Sequence, residues 1–88
     1  MSIKVATTEN IRMSRHPNLV KLGTRIRVLR TAGGYSQESF AHKIGMARAY
    51  FGGVERGERN VAALNLIRIA KALEVEIGEL FPVVDELN

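Results

Sequence analysis

The sequence predicts an all-α domain of five short helices, and three observations carry that prediction. Apolar residues recur at spacings of three and four along most of the chain rather than alternating. Glycine, serine and asparagine fall between the periodic stretches, where helices stop and start. The chain has 88 residues and no cysteine, so it has room for one small core and no disulfide framework.

Residues 1–17 read as a flexible polar arm ending at His16-Pro17, a dipeptide that discourages a preceding helix. The helical domain then runs over residues 18–81. Asn18 serves as N-cap of a first helix whose inner stripe is Leu19, Leu22, Ile26 and Leu29, and Gly33-Gly34 ends it. Ser36 caps a second helix with Phe40, Ala41 and Ile44 turned inward, and Gly45 stops it. A third pattern, Ala47, Phe51 and Val54, opens almost at once and closes near Arg56-Gly57. Two short helices joined by a tight glycine turn make a helix-turn-helix unit. Val61–Val75 forms the fourth helix, with Ala63, Leu66, Ile67, Ala70 and Leu73 as its core stripe and Leu64 and Ile69 outside it. A helix that is apolar on more than one face has a second partner. Ile77, Leu80 and Phe81 give a short fifth helix before Pro82, and residues 82–88 are a loosely held tail.

Charge is divided unevenly along the chain. Residues 1–60 carry eleven Lys or Arg against four Glu, whereas residues 61–88 carry two against five acidic residues. This points a basic face at a polyanion and leaves the acidic end for another task. The longest apolar run is far below the roughly 20 residues that span a bilayer, and the N-terminus lacks the apolar segment of a secretion signal. The expectation is therefore a cytoplasmic protein without a membrane partner. His16 and His42 have no Asp or Cys partner in the pattern, and no phosphate-cradling glycine motif is present. Neither an enzyme, a metal site nor a cofactor is expected.

The run Tyr35-Ser-Gln-Glu-Ser-Phe-Ala-His-Lys-Ile-Gly45 resembles the Cro/CI-repressor (Xre) family of regulators. Arg48-Ala-Tyr50, Glu55-Arg56-Gly57-Glu58-Arg59-Asn60 and Ile67-Arg-Ile-Ala-Lys-Ala-Leu73 are similar to the controller proteins of restriction–modification systems. The resemblance spans Leu22 to Phe81. It implies a lambda-repressor-like fold and a transcriptional regulator that binds double-stranded DNA as a homodimer on an inverted repeat.

Carried onto this sequence, the resemblance implies that Arg48, Ala49 and Tyr50 stand on the helix that enters the major groove. Arg48 there is suited to fork onto guanine O6 and N7. Gln37 and the start of the second helix suit a phosphate, and Arg59 and Asn60 suit the flanking backbone or a base edge. Each has a plainer reading: Arg48 as a solvated charge, Tyr50 as cover for its own helix, Gln37 as first-turn filler, and Arg59 and Asn60 as solvated loop.

The resemblance also implies an ion pair between Arg30 and Glu55. Ala47, Ala49 and the mid-helix pair Gly52-Gly53 depart from the usual pattern. The glycines read either as close backbone approach to DNA, with recognition partly through DNA shape, or as a weak reader that needs a partner. Leu64, Ile69, Ile77 and Phe81 are the candidate dimer interface, against completing a monomer core. A second functional reading is an antitoxin-type protein that binds DNA and also a protein partner through its arm or acidic tail.

Overall fold

In the computed structural model, which describes residues 15–87, α1 spans Pro17–Ala32, α2 Gln37–Lys43, α3 Arg48–Glu55 and α4 Ala63–Leu73. Two 3₁₀ turns follow, Ile77–Leu80 and Val84–Glu86, and there is no strand among the described residues. The expected fifth helix is thus a single 3₁₀ turn. The putting of residues 1–14 into an arm falls outside the described residues.

The first helix starts two residues earlier than the sequence pattern suggests. His16, not Asn18, is its N-cap: the His16 Nδ1 accepts from the Asn18 backbone N–H at 3.1 Å. Pro17 then occupies the first helical position, where its missing N–H costs nothing. At the other end Gly34 takes φ +84°, and the Tyr35 N–H returns to the Arg30 carbonyl. The start of α2 is capped by Ser36 Oγ, which accepts from the Ser39 N–H at 3.0 Å. Gly45 at φ +66° makes the tight turn into α3. Ala47 offers no side-chain cap there.

The core draws on all four helices and the first 3₁₀ turn. Ile26 of α1, Phe40 of α2, Phe51 and Val54 of α3, Ile69 of α4 and Leu80 of the 3₁₀ turn are all fully buried or nearly so. The Phe40 and Phe51 rings lie 5.3 Å apart, fastening α2 to α3. Gly23 brings α1 close to the end of α3, where a Cβ would lie 2.5 Å from the Glu55 carbonyl oxygen. The tail is less loose than its composition suggests: Lys21 Nζ donates to the Glu86 carbonyl, and Arg25 Nε donates to that of Glu79 at 2.8 Å.

The fourth helix corrects three sequence expectations. Its inner stripe is Leu66, Ile69, Ala70 and, half-buried, Leu73. Ile69 is fully buried and is a core residue, not an interface residue; Ile67 is 43% exposed and lies outside the core. Ala63 is exposed as well. Both stripes keep helical spacing, so periodicity alone left the phase open. The face that presents Ile69 joins the buried core with Phe51 and Leu80.

Candidate nucleic-acid interface

A buried ion pair ties α1 to α3, and a hydrogen bond to the same carboxylate brings in α2. Arg30 Nε and Nη2 donate to the two Glu55 carboxylate oxygens at 2.6 and 3.0 Å, and Arg30 Nη1 donates to the Tyr35 carbonyl at 2.7 Å. Gln37 Nε2 donates to Glu55 Oε1 at 2.9 Å. One carboxylate at the end of α3 therefore ties together α1, the turn before α2 and the first residue of α2. No buried side-chain nitrogen or oxygen among the described residues lacks a partner, as a buried charge requires.

Above this anchor lies an exposed face made by α3 and the loop after it. Arg48 and Ala49 open α3 and are exposed; Arg48 makes no ion pair or side-chain hydrogen bond with any described residue. Tyr50 is half-buried, with the Arg59 guanidinium 5.6 Å from its ring centre, a cation–π contact. Asn60 is exposed in the loop.

Gly52 and Gly53 are not the bare backbone that the sequence reading offered to DNA. Both are buried, and by the chain's own side chains. Arg56 Nη1 and Gln37 Oε1 lie 3.1 and 3.2 Å from where a Cβ on Gly52 would stand, and Arg59 Cγ lies 3.2 Å from the same position on Gly53. The two glycines are seats: with no side chain of their own, they let Arg56, Arg59 and Gln37 lie across the middle of α3.

The loop is held in this pose by its backbone. Gly57 turns at φ +76°, and the Glu58 N–H donates to the Gly53 carbonyl at 2.9 Å, a helix-ending bond of the Schellman kind. The Glu58 side chain receives Arg56 Nε and Nη2 at 3.0 and 3.1 Å and Arg15 Nη2 at 2.7 Å. Its hydrogen bond to Arg56, and the nearby charges of Arg56, Arg15 and Arg59, hold its carboxyl below the ordinary glutamate value.

Structure thus gathers Gln37, Tyr50, Gly52, Gly53 and Arg59 on one surface, with Arg48, Ala49 and Asn60 exposed in the adjoining first turn and loop. Sequence reasoning missed Arg56 and Arg15. Arg56 stands four residues after Gly52 and seven after Ala49, a helical spacing that signals a shared face; it had been read only as the end of α3. Away from α3 in the sequence, Leu64 is 76% exposed, and Ile77 and Phe81 about two-fifths exposed. Among the described residues no helix is long and apolar enough to cross a membrane, and no cluster of three or more His, Cys, Asp or Glu could hold a metal ion.

The chain matches a helix-turn-helix family model over residues 26–80, which takes in the last seven residues of α1, the α2–turn–α3 unit, α4 and the first 3₁₀ turn. The chain belongs to the helix-turn-helix family. Within that family it is similar to the control protein C.MunI of Mycoplasma sp., 38% identical over 63 residues that make up 70% of this chain and 85% of that protein. Among solved structures it resembles the restriction-modification controller protein C.AhdI from Aeromonas hydrophila, at 56% identity and a TM-score of 0.69, covering 72% of this chain and 96% of that one. It also resembles SinR, the master regulator for biofilm formation, solved in complex with DNA. There the identity is 32% and the TM-score 0.64, over 67% of this chain and 95% of that one. In this helix-turn-helix chain α2 and α3 are the two named helices, and the exposed face of α3 is the surface the unit presents outward.

Proposed function

We propose that this chain is a sequence-specific DNA-binding transcriptional regulator that works as a homodimer on an inverted repeat and controls the promoter of its own restriction–modification locus. The observation that carries the reading is the face of α3: unpaired Arg48 at its start and Arg59 laid over Tyr50 and Gly53, above an anchor that holds Gln37 in place. Arg48 enters the major groove as the base reader, and Gln37, Arg59 and Asn60 hold the flanking backbone. The similarity to restriction-modification controllers and to a regulator solved with DNA supports the same reading.

One such unit touches only a few base pairs, so two-fold pairing is the usual route to sufficient affinity. Leu64 on α4, with Ile77 and Phe81 beside it in the chain's last turns, supplies the apolar surface for that pairing. Ile67, also exposed on α4, joins them. The acidic C-terminal part then lies away from the phosphates.

The test is binding to the gene's own upstream DNA, titrated against salt, with Arg48→Ala alongside and the mass in solution measured by sedimentation. A dimer that prefers the upstream DNA over random duplex, and loses that preference in Arg48→Ala, is the expected result. Equal binding to both duplexes, unaffected by the substitution, would sink the reading; a monomer at micromolar concentration, unchanged by Leu64→Asp, would sink the dimer.

A further inference from the structure

Glu58 is an acidic side chain set among the arginines of the basic face. It engages Arg15 and Arg56 at once, at 2.7 and 3.0 Å. Arg56 lies over Gly52, and Arg59, the next arginine of the loop, lies over Gly53 beside Glu58 Oε1. These are side chains of the surface proposed above to meet DNA, so the carboxylate stands where an anionic ligand would otherwise be gripped. The backbone leaves it little freedom to be elsewhere, since the Glu58 N–H is bonded to the Gly53 carbonyl. All three side chains remain a third to a half exposed, so the pairs are open to exchange.

We propose that Glu58 is an internal stand-in for a backbone phosphate: it occupies Arg15 and Arg56 in the free protein and hands them to DNA phosphates on binding. The inference rests on the DNA-binding reading and adds two things to it. Arg15 and Arg56 become phosphate-contacting residues. Glu58 sets a threshold that DNA must exceed, because every phosphate contact by these arginines displaces a pair already made. Phosphates are present in any sequence, so the competition falls on non-specific binding first and leaves the base contacts of Arg48 to decide which sites are held. The exchange also orders the surface beforehand, since the paired arginines already lie across α3 rather than free in solvent.

The size of the effect follows from the exposure of the pairs. An exposed ion pair amounts to a factor of up to about five, so releasing two tightens binding by about two- to twenty-five-fold. Removing one negative charge from the contact steepens the slope of log affinity against log salt by up to about one.

The experiment measures binding of the full chain to a random-sequence duplex and to the gene's upstream DNA, for wild type, Glu58→Gln, Arg56→Gln and the double variant, with melting temperatures as the folding control. Glu58→Gln is expected to tighten binding to the random duplex within that range and steepen its salt dependence. Arg56→Gln is expected to cost more affinity in the Glu58→Gln background than in wild type, because there the arginine is free for phosphate in the unbound protein. Additive effects of the two substitutions, or unchanged affinity and slope in Glu58→Gln, would overturn the stand-in role. Arg48→Ala run beside them separates the two ideas. If wild type prefers upstream DNA and Arg48→Ala abolishes that preference while Glu58→Gln changes nothing, only the Glu58 inference falls; if wild type binds neither duplex, both fall.

Discussion

Replacing Glu55 by glutamine keeps the shape of the side chain and removes its charge, and the structure sets the cost. Arg30 is 6% exposed and Glu55 7%. The carboxylate accepts two bonds from the Arg30 guanidinium and one from Gln37. A glutamine amide meets those donors with only one oxygen and points its own N–H groups at another donor. One charge-assisted bond is lost, a second is weakened, and the guanidinium is left buried without a counter-charge; such removals cost about 3–5 kcal/mol. A domain of this size has a total stability of about 4–13 kcal/mol, so the variant sits close to the unfolding threshold. With about 4–8 °C lost per kcal/mol in a domain of 60–100 residues, the melting temperature falls by at least about 12 °C.

Urea unfolding followed by circular dichroism, at constant m-value, gives the number directly. The companion is the double substitution Arg30→Met with Glu55→Leu, which removes both charges and refills the volume with apolar atoms. It should regain most of the loss, since a buried ion pair exceeds well-packed hydrophobic residues by little or nothing. It should still bind DNA poorly, because Gln37 has lost its acceptor. A loss below about 1 kcal/mol for Glu55→Gln, the scale of an exposed pair, would refute the argument from burial. So would a double variant no more stable than the single one.

Other expectations are shorter. Glu74 ends α4 at φ +59°, a left-handed position without glycine, so Glu74→Gly should stabilise by about 1 kcal/mol in thermal melts. Gly23→Ala should do the reverse of a usual helix-interior glycine replacement. Its Cβ would stand 2.5 Å from the Glu55 carbonyl oxygen, and forcing α1 off α3 costs about 3 kcal/mol; a neutral or stabilised variant would contradict the close approach. The Glu58 carboxyl should titrate below its ordinary value of 4.5 in carbon-detected NMR. Because the folded value is lowered, its pairs with Arg56 and Arg15 contribute above the ordinary carboxylate range and vanish as the pH falls through the lowered one. Arg56→Gln should return the midpoint toward the ordinary value.

The helices and most of their ends were legible in the sequence because their signals are local. Serine at the start of α2, glycine at the left-handed turns after α1, α2 and α3, and apolar spacing of three and four each act within a turn or two of chain. The phase of α4 was not, because Ile67 and Ile69 are equally apolar and only the way the helix packs on the rest of the core decides between them. The start of α1 was misplaced because histidine is an uncommon cap, whereas asparagine next to it is a common one. The surface of α3 was half legible. Its exposed positions followed from periodicity, but the use of Gly52 and Gly53 depended on where the side chains of the next loop fold back, which no spacing rule encodes. Glu58 drew no notice for the same reason: its meaning comes from Arg15, forty-three residues away.

Bare glycine seats overlaid by loop side chains divide labour between two stretches of chain that differ in tolerance to change. Phe51, Val54 and Glu55 are locked into the interior, so α3 beyond its first turn admits little variation. Positions 56, 58, 59 and 60 are exposed and lie beyond the helix, where substitutions cost within about 0.5 kcal/mol. A lineage can therefore exchange the chemistry displayed over α3 by altering loop residues alone, while the scaffold beneath is inherited unchanged.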